Sequence, residues 1–301
     1  MAAANQPRTI AILHPGEMGA RIGEILAERD HRVLAWSAER SAATRRRADR
    51  AGFAEVASLG ELAARAEVAI SLVPPDAAVE TARAFADAAP PGSAPLFADL
   101  NSIGPEIARG IAARLGARGI PCVDGALHGQ AQRLPAGGVL YLSGEHAPRI
   151  AALFDGAVET RILGPEIGAA SLQKLLLSCV SKAMVALCLE IGAAAQDARA
   201  WPAFWEALAH FYPELAASVE RMGPTLPRHA ARRASELAEA EAWLHASGRE
   251  PGFAAASRRF LERVAAARLP VAPGQPDGAW RLPQLIEALR AHAARSAEEM
   301  A

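Results

Sequence analysis

Lysine is rare in this chain, and both of its lysines fall in one stretch. Of 32 lysines and arginines among 301 residues, only Lys174 and Lys182 are lysines. Codon bias toward arginine explains the scarcity but not the clustering. A lysine surrounded by leucines loses its proton more easily than an exposed one, which suits it to acid–base catalysis. Lys174, among Leu172, Leu175 and Leu176, is therefore the candidate catalytic residue, whereas Lys182 is expected to be structural or exposed.

A glycine-containing turn follows the first predicted strand, Thr9–Leu13. The sequence HPGEMG at 14–19 resembles the dinucleotide fingerprint G-x-G-x-x-G, with His14 in place of the first glycine. Gly16 and Gly19 would let the backbone approach a pyrophosphate held at the helix start. An ordinary strand-to-helix turn is the alternative. The predicted cofactor contacts here are Pro15, Gly16, Glu17, Met18 and Gly19.

The residues after the second predicted strand, Arg32–Trp36, bear on cofactor choice. An NAD site usually has an acid here for the ribose 2′-hydroxyl. This chain has neutral Ser37, and Arg40 can pair with a 2′-phosphate. The prediction is NADP(H) rather than NAD, with Ser37 and Arg40 as contacts. Glu39 is the residue that could instead bind a ribose.

Three further strands are predicted at Val68–Val73, Leu96–Leu100 and Pro121–Asp124. Each ends in residues suited to ligand contact, because ligands of open α/β sheets bind beyond the carboxyl ends of the strands. Each strand end also has a structural alternative. The residues after Val73 could form an ordinary loop, those near Asn101 could cap the helix near Pro105, and His128 could be a structural histidine. The predicted cofactor contacts are Val73, Pro74 and Asn101, and the predicted substrate contacts are Ser102, His128 and Gly129.

The order of elements predicts an α/β fold in two parts. Strands alternate with helices up to about residue 163, which predicts a parallel sheet. The expected architecture is an N-terminal Rossmann dinucleotide-binding domain at 1–163 and an all-α domain for substrate binding and dimerisation at 164–301. A long helix at about 168–197, roughly 45 Å in length, is expected to join them. A loop rich in Pro and Gly is predicted at 269–283, before a final helix.

Composition excludes several other classes. A net charge of −1 argues against a nucleic-acid binder, and the run Arg45–Arg47 is interpreted as a solvated helix face. Three cysteines without metal-ligand spacing indicate a reducing, cytoplasmic location and no metal site. The apolar stretch 167–195 carries Lys174, Lys182 and Glu190, so a buried helix is expected rather than a membrane span.

Six stretches together resemble the β-hydroxyacid dehydrogenase family, which includes 3-hydroxyisobutyrate dehydrogenases and is related to 6-phosphogluconate dehydrogenase. They are HPGEMG, WSAERS, DLNS, DGALHG, GPEIGAASLQKLLLS and SELAEA, and they span nearly the whole chain. The resemblance implies that Lys174 is catalytic and that Ser102 and DGALHG bind substrate. His128 replaces a family serine, Ser178 a substrate-contacting asparagine, and Ser235 a second lysine.

The predicted function is NADP(H)-dependent hydride transfer between nicotinamide and a hydroxy acid or a related alcohol or carbonyl compound. Lys174 is the predicted general acid and base, and the resemblance implies a homodimer. The aromatic residues between 201 and 212 either line the substrate pocket or pack helices together. An imine reductase of the same fold and a non-catalytic NADPH-binding regulatory protein are the alternatives.

Overall fold

The computed structural model describes residues 6–270 and 280–299. The chain divides into two compact units, Met1–Lys174 and Leu175–Ala301. The division falls inside one long helix, and the domain boundary predicted at 163/164 stays a prediction.

The first unit is built on an eight-stranded sheet of order β3-β2-β1-β4-β5-β6-β7-β8. Only β6 and β7 pair antiparallel, and the neighbouring pairs on either side are parallel. The order 3-2-1-4-5-6 is that of a Rossmann sheet. The strands are β1 Thr9–Ile12, β2 Arg32–Ala35, β3 Ala54–Glu55, β4 Val68–Ser71, β5 Leu96–Asp99, β6 Cys122–His128, β7 Val139–Ser143 and β8 Glu159–Ile162.

Alternate side chains of the strands enter separate cores on the two faces of this sheet. In β1, Ile10 and Ile12 pack into one core, whereas Ala11 packs into the other. Both faces of a parallel sheet are covered by helices, so its strands are apolar throughout. The helices of this unit are α1 Glu17–Ala27, α2 Ala42–Arg50, α3 Leu59–Arg65, α4 Ala78–Ala88, α5 Pro105–Gly116 and α6 Ala147–Leu153.

The second unit is helical in its described part. The long helix α7, Ala169–Asp197, begins in the first unit and continues into the second. Its inner side chains, such as Leu189, share a core with Leu237 and Leu261. The remaining helices are α8 Trp201–Phe211, α9 Pro213–Met222, α10 Leu226–Ala246, α11 Gly252–Ala266 and α12 Leu282–Glu299.

The aromatic stretch after α7 divides between packing and exposure. Trp201 and Trp205 stack with centroids 5.4 Å apart and lie against the helical core. Phe211 and Tyr212 are exposed. The helix-packing interpretation therefore fits the two tryptophans.

The predicted fold class is confirmed, while some element boundaries differ. The strand predicted at Pro121–Asp124 continues to His128. Gly125 lies inside this strand, where a Cβ would stand 2.3 Å from the Leu100 side chain. The short strand β3 and the largely exposed edge strand β8 lack the apolar run of a buried strand and were not predicted. The loop predicted at 269–283 falls largely on 271–279, outside the described residues.

Candidate functional site

The turn after β1 has the geometry of a dinucleotide-binding turn. The Gly16 N–H donates to the His14 carbonyl over 2.8 Å, which closes the turn. A Cβ on Gly19 would stand 2.2 Å from the same carbonyl oxygen, so only glycine fits there. Gly16 is the N-cap of α1, and no side chain caps this helix. The first N–H groups of α1 therefore suit an anion such as a pyrophosphate.

His14, in place of the fingerprint's first glycine, lies against this turn. A Cβ on Gly16 would stand 3.1 Å from the His14 ring. Burial, followed by the charges of Arg40 and Arg47, lowers the pKa of His14. Arg47 thus lies near enough to affect the turn, and it is half-buried while Arg45 and Arg46 are exposed. The interpretation of Arg45–Arg47 as a solvated helix face therefore fits Arg45 and Arg46 but not Arg47.

The end of β2 separates the roles of Ser37 and Arg40. Buried Ser37 donates to Glu55 from both its backbone N–H (2.6 Å) and its hydroxyl (2.8 Å). Arg40 lies with its guanidinium 6.0 Å from the Trp36 ring centroid. Its Nε is buried without a hydrogen-bond partner in the described part of the chain. Arg40 therefore has a donor to offer a ligand, whereas the Ser37 hydroxyl is bonded to Glu55, a residue that sequence reasoning missed.

The other predicted residues of the first turn have mixed placements. Pro15 is buried, and half-buried Met18 packs against one core of the sheet. Exposed Glu17 accepts a hydrogen bond from the side-chain amide of Gln132.

Asn101 holds together the loops that follow β4 and β5. Its side-chain oxygen accepts from the Val73 N–H at 2.6 Å, and its amide donates to the Ser71 hydroxyl at 2.9 Å. Asn101 is buried, so it shapes the loop bearing Val73 and exposed Pro74. Ser102 is half-buried beside it. The cap of α5 is Gly104, so neither Asn101 nor Ser102 serves as that cap.

Asp124 lies inside β6, and its side chain accepts hydrogen bonds from the start of α7. It is 1% exposed, and its Oδ2 accepts from the N–H groups of Gly168 (2.9 Å), Ala170 (3.0 Å) and Ser171 (3.1 Å). Oδ2 also accepts from the Ser143 hydroxyl at 2.9 Å, and Oδ1 from the Ser171 hydroxyl at 2.6 Å. The sequence interpretation placed Asp124 at a strand end in a substrate-contacting loop. Because the strand continues, its side chain is instead directed to the helix start.

His128 and Gly129 form the end of this strand. His128 is its last residue and lies exposed at the carboxyl edge of the sheet. Gly129 has φ of +151°, and a Cβ there would stand 2.9 Å from the Gly138 backbone. Close approach of two backbone segments thus explains the glycine.

Asp99 is the register partner of Asp124 on the neighbouring strand. Its Oδ1 accepts from the Asn101 N–H, and its Oδ2 is buried with no hydrogen-bond partner among the described residues. Burial chiefly, with a further contribution from the charge of Asp124, raises the pKa of Asp99 to about 7. Two buried carboxyl groups therefore lie side by side at the carboxyl edge of the sheet.

The two lysines of α7 have different surroundings. Lys174 is half-buried and follows Ser171 by less than one helical turn. Lys182 is 7% exposed, and its Nζ lies 2.5 Å from Glu236 Oε2. Burial lowers the pKa of Lys182, although Glu236 opposes that shift. Of the two expectations for Lys182, structural holds and exposed is wrong, because the ion pair allows the ammonium to be buried.

Ser178 lies between the two lysines and is half-buried. Its carbonyl accepts from the Ser181 hydroxyl at 3.1 Å and from Lys182 Nζ at 3.5 Å. In the described part of the chain, no group of three or more His, Cys, Asp or Glu side chains is placed to hold a metal ion.

Two family models match separate parts of the chain. Residues 9–154 match the NAD binding domain of 6-phosphogluconate dehydrogenase, and residues 195–264 match a domain of unknown function, DUF1932. No curated protein matches the sequence. The first match and the sheet order define the N-terminal part as a nicotinamide-dinucleotide-binding Rossmann domain.

Solved structures extend the likeness over most of the chain. A conserved protein of unknown function, described as structurally similar to 3-hydroxyacid dehydrogenases, has 25% identity and a TM-score of 0.70, covering 86% of this chain and 98% of its own. The 3-hydroxyisobutyrate dehydrogenase of Mycobacterium tuberculosis, solved with L-serine, has 19% identity and a TM-score of 0.74, covering 95% and 100%. A reductive aminase from Aspergillus terreus, solved in complex with NADPH4, cyclohexanone and allyl amine, has the same fold with a lower TM-score.

That reductive aminase has 20% identity and a TM-score of 0.57, covering 94% of this chain and 99% of its own. The family model therefore gives the chain a nicotinamide-dinucleotide-binding domain, and its fold is one that dehydrogenases and reductases share. Over most of its length the chain is similar to β-hydroxyacid dehydrogenases, and its C-terminal part matches DUF1932.

Proposed function

We propose that this protein transfers hydride between NADP(H) and a hydroxy acid, or a related alcohol or carbonyl compound, with Lys174 as the general acid and base. The observation that carries the proposal is the start of α7. Asp124 ties that start to the carboxyl edge of the sheet, the edge at which Rossmann folds bind nicotinamide cofactors. Lys174 lies three residues, less than one turn, beyond Ser171, whose N–H donates to Asp124.

The chain's own contribution is a proton at Lys174 Nζ. Bound nicotinamide supplies the hydride chemistry. In oxidation, neutral Nζ accepts the hydroxyl proton of the substrate as the carbon–hydrogen bond breaks. In reduction, the Lys174 ammonium stabilises negative charge on the carbonyl oxygen and then donates the proton to it.

Replacing Lys174 tests this role. Lys174→Met keeps the length of the side chain, and Lys174→Arg keeps a positive charge that does not dissociate. We expect kcat to fall by roughly 10²–10⁴ in both variants, while the NADPH dissociation constant from fluorescence titration changes little. Full turnover by Lys174→Met would exclude the proposed mechanism.

The substrate class needs a separate assay. The reductive aminase among the structural neighbours keeps an imine reductase as the second candidate. Purified protein with NADPH would be assayed against matched panels of oxo acids and cyclic imines, and in reverse against hydroxy acids. Turnover confined to imines would favour the second candidate, and NADPH binding without turnover of either panel would favour the non-catalytic alternative.

The preference for NADP(H) rests on the arginines near the first turn. Arg40 has a buried Nε with no partner among the described residues, and Arg47 is half-buried near His14. Charge-assisted bonds of guanidinium to phosphate are worth about 1.5–3 kcal/mol each. We expect Arg40→Ala to weaken NADPH binding roughly 10- to 100-fold while NADH binding changes little.

Arg46→Ala is the matched control, because Arg46 lies on α2 and is exposed. Equal losses for NADPH and NADH in Arg40→Ala would contradict 2′-phosphate recognition. Glu55→Gln sharpens the comparison, since Glu55 is the carboxylate bonded to Ser37 at the same strand end. A gain in NADPH affinity there would indicate that Glu55 opposes the phosphate.

We also propose that the protein is a homodimer assembled through α7. Its exposed side includes a stripe of apolar residues at helical spacing, namely Leu176, Val180, Met184, Leu187 and Ile191. Among the described helices, α7 alone is long and apolar enough to cross a bilayer by length and composition. A second copy of the same helix would cover such a stripe, and charged Lys182 and Glu190 favour this over lipid.

Light scattering tests the dimer. Leu187→Glu is expected to shift the mass toward a monomer, whereas Val79→Glu, at a similarly exposed apolar residue of α4, is not. An unchanged dimer in Leu187→Glu would place the interface elsewhere.

We also propose that the protein is cytoplasmic. The free cysteines Cys122, Cys179 and Cys188 support this location, because a reducing compartment keeps thiols free.

A further inference from the structure

We propose that Asp124 is a positioning residue for the reaction, which sets where Lys174 stands relative to the carboxyl edge of the sheet. This inference rests on the proposed function, because it requires that Lys174 transfers the proton. Asp124 itself would contact neither substrate nor cofactor and would act through α7.

The Asp124 carboxylate accepts hydrogen bonds from the start of α7 and from the neighbouring strand β7. Three backbone N–H groups at the start of α7, those of Gly168, Ala170 and Ser171, donate to Oδ2. The Ser143 hydroxyl also donates to Oδ2, and the Ser171 hydroxyl donates to Oδ1. The first amides of a helix have no partners within the helix, and a negative charge there is favoured by the helix dipole. One side chain thus accepts hydrogen bonds from most of the backbone N–H groups at the start of α7.

Burial makes this attachment rigid. Asp124 is 1% exposed, and charge-assisted hydrogen bonds are stronger away from water. At the starts of α2 and α3, by contrast, the hydroxyl oxygen of an exposed serine, Ser41 or Ser58, accepts from one backbone N–H. The helix that carries Lys174 is therefore held at its start much more strongly than α2 or α3. We call the set of hydrogen bonds between Asp124 and the start of α7 the anchor.

The anchor can reach Lys174 because the helix between them is short. Ser171 is bonded to Asp124 through both its N–H and its hydroxyl, and Lys174 follows three residues later. Loss of the anchor would free the first turn of α7 and shift Lys174. Misplacement of a reacting group by about 1 Å can cost on the order of 100-fold in rate.

Substitution of Asp124 tests the inference. We expect Asp124→Ala to lower kcat roughly 100-fold with the NADPH dissociation constant unchanged. Asp124→Asn can still offer one oxygen to the helix amides, so it should recover part of that loss. Hydrogen exchange should show faster exchange at the start of α7 in Asp124→Ala.

A double-mutant cycle with Lys174→Met separates positioning from general destabilisation. If Asp124 acts through Lys174, adding Asp124→Ala to Lys174→Met should cause little further loss of kcat, since effects within one unit are not additive. Ser58→Ala, which removes the cap of α3, is the control and should leave kcat per folded molecule unchanged.

Multiplicative losses in the cycle, or a rise in the NADPH dissociation constant that matches the fall in kcat, would overturn the inference. If Asp124→Ala does not fold, Ser171→Ala removes one bond to the carboxylate and should give a smaller loss with the same non-additivity. Failure of the proposed function has a different signature. Lys174→Met alone would then keep full turnover, while faster exchange in Asp124→Ala would still report the anchor.

Discussion

Two carboxylates of this protein, buried Asp124 and half-buried Glu236, are stabilised in different ways. Asp124, in the sheet unit, accepts three backbone amides and two hydroxyls. Glu236, in the helical unit, is 14% exposed and pairs with the side chains of Lys182 and Arg232. Backbone amides of a helix start are fixed in space, whereas long cationic side chains are not.

This difference separates positioning from packing. A carboxylate bonded to backbone amides fixes the start of a helix and everything that the helix carries nearby. An ion pair between Lys182 and Glu236 mainly allows two charges to be buried between α7 and α10, and a pair of apolar residues could replace it. The comparison predicts different responses to mutation at the two places.

The largest effect is expected at the ion pair. Lys182→Ala leaves Glu236 buried beside exposed Arg232 only, which should lower the free energy of unfolding by about 3–5 kcal/mol. The double variant Lys182→Met with Glu236→Leu should recover most of that loss. Urea denaturation measures both, and a double variant as unstable as the single one would show that the pair does more than pack.

The next effect concerns Asp99 and depends on pH. Its pKa is raised to about 7, chiefly by burial, so folded protein holds a proton that the unfolded chain releases above about 4. Stability from this group is complete below pH 4 and is lost as the pH rises to about 7. Asp99→Asn mimics the protonated form, so it should stabilise the protein at pH 8 by on the order of 2 kcal/mol.

Thermal unfolding of wild type and Asp99→Asn between pH 4 and pH 8 checks this. The difference between the two should grow up to about pH 7 and then level off. A constant difference across the range would mean that Asp99 is ionised throughout.

The smallest effect is expected at Ser171. Ser171→Ala removes the hydroxyl bond to Asp124 Oδ1, while the backbone amides and Ser143 remain bonded to Oδ2. The free energy of unfolding should fall by about 1 kcal/mol. A loss of unfolding free energy as large as that of Lys182→Ala would mean that the Ser171 hydroxyl holds Asp124 as strongly as the backbone N–H groups of α7 do.

The local parts of the site were predictable. The strand, the turn with Gly16 and Gly19 and the following helix are contiguous, and their residue types reflect steric needs within a few residues. The anchor of α7 was not predictable, because Asp124 and Ser171 are 47 residues apart and the bond depends on which strand faces the helix start. Interpreting Asp124 as part of a loop followed from ending β6 too early.

The sequence by itself determined the alternation of strands and helices, the dinucleotide turn and the presence of a lysine near the start of a long apolar helix. These follow from periodicity and from glycines that contacts within a few residues require. Only the tertiary structure decided that Lys182 is buried against Glu236, that Asn101 bonds Val73, and that Asp124 holds α7. A buried polar side chain takes whatever partner folding brings to it, and residue spacing alone does not record that partner.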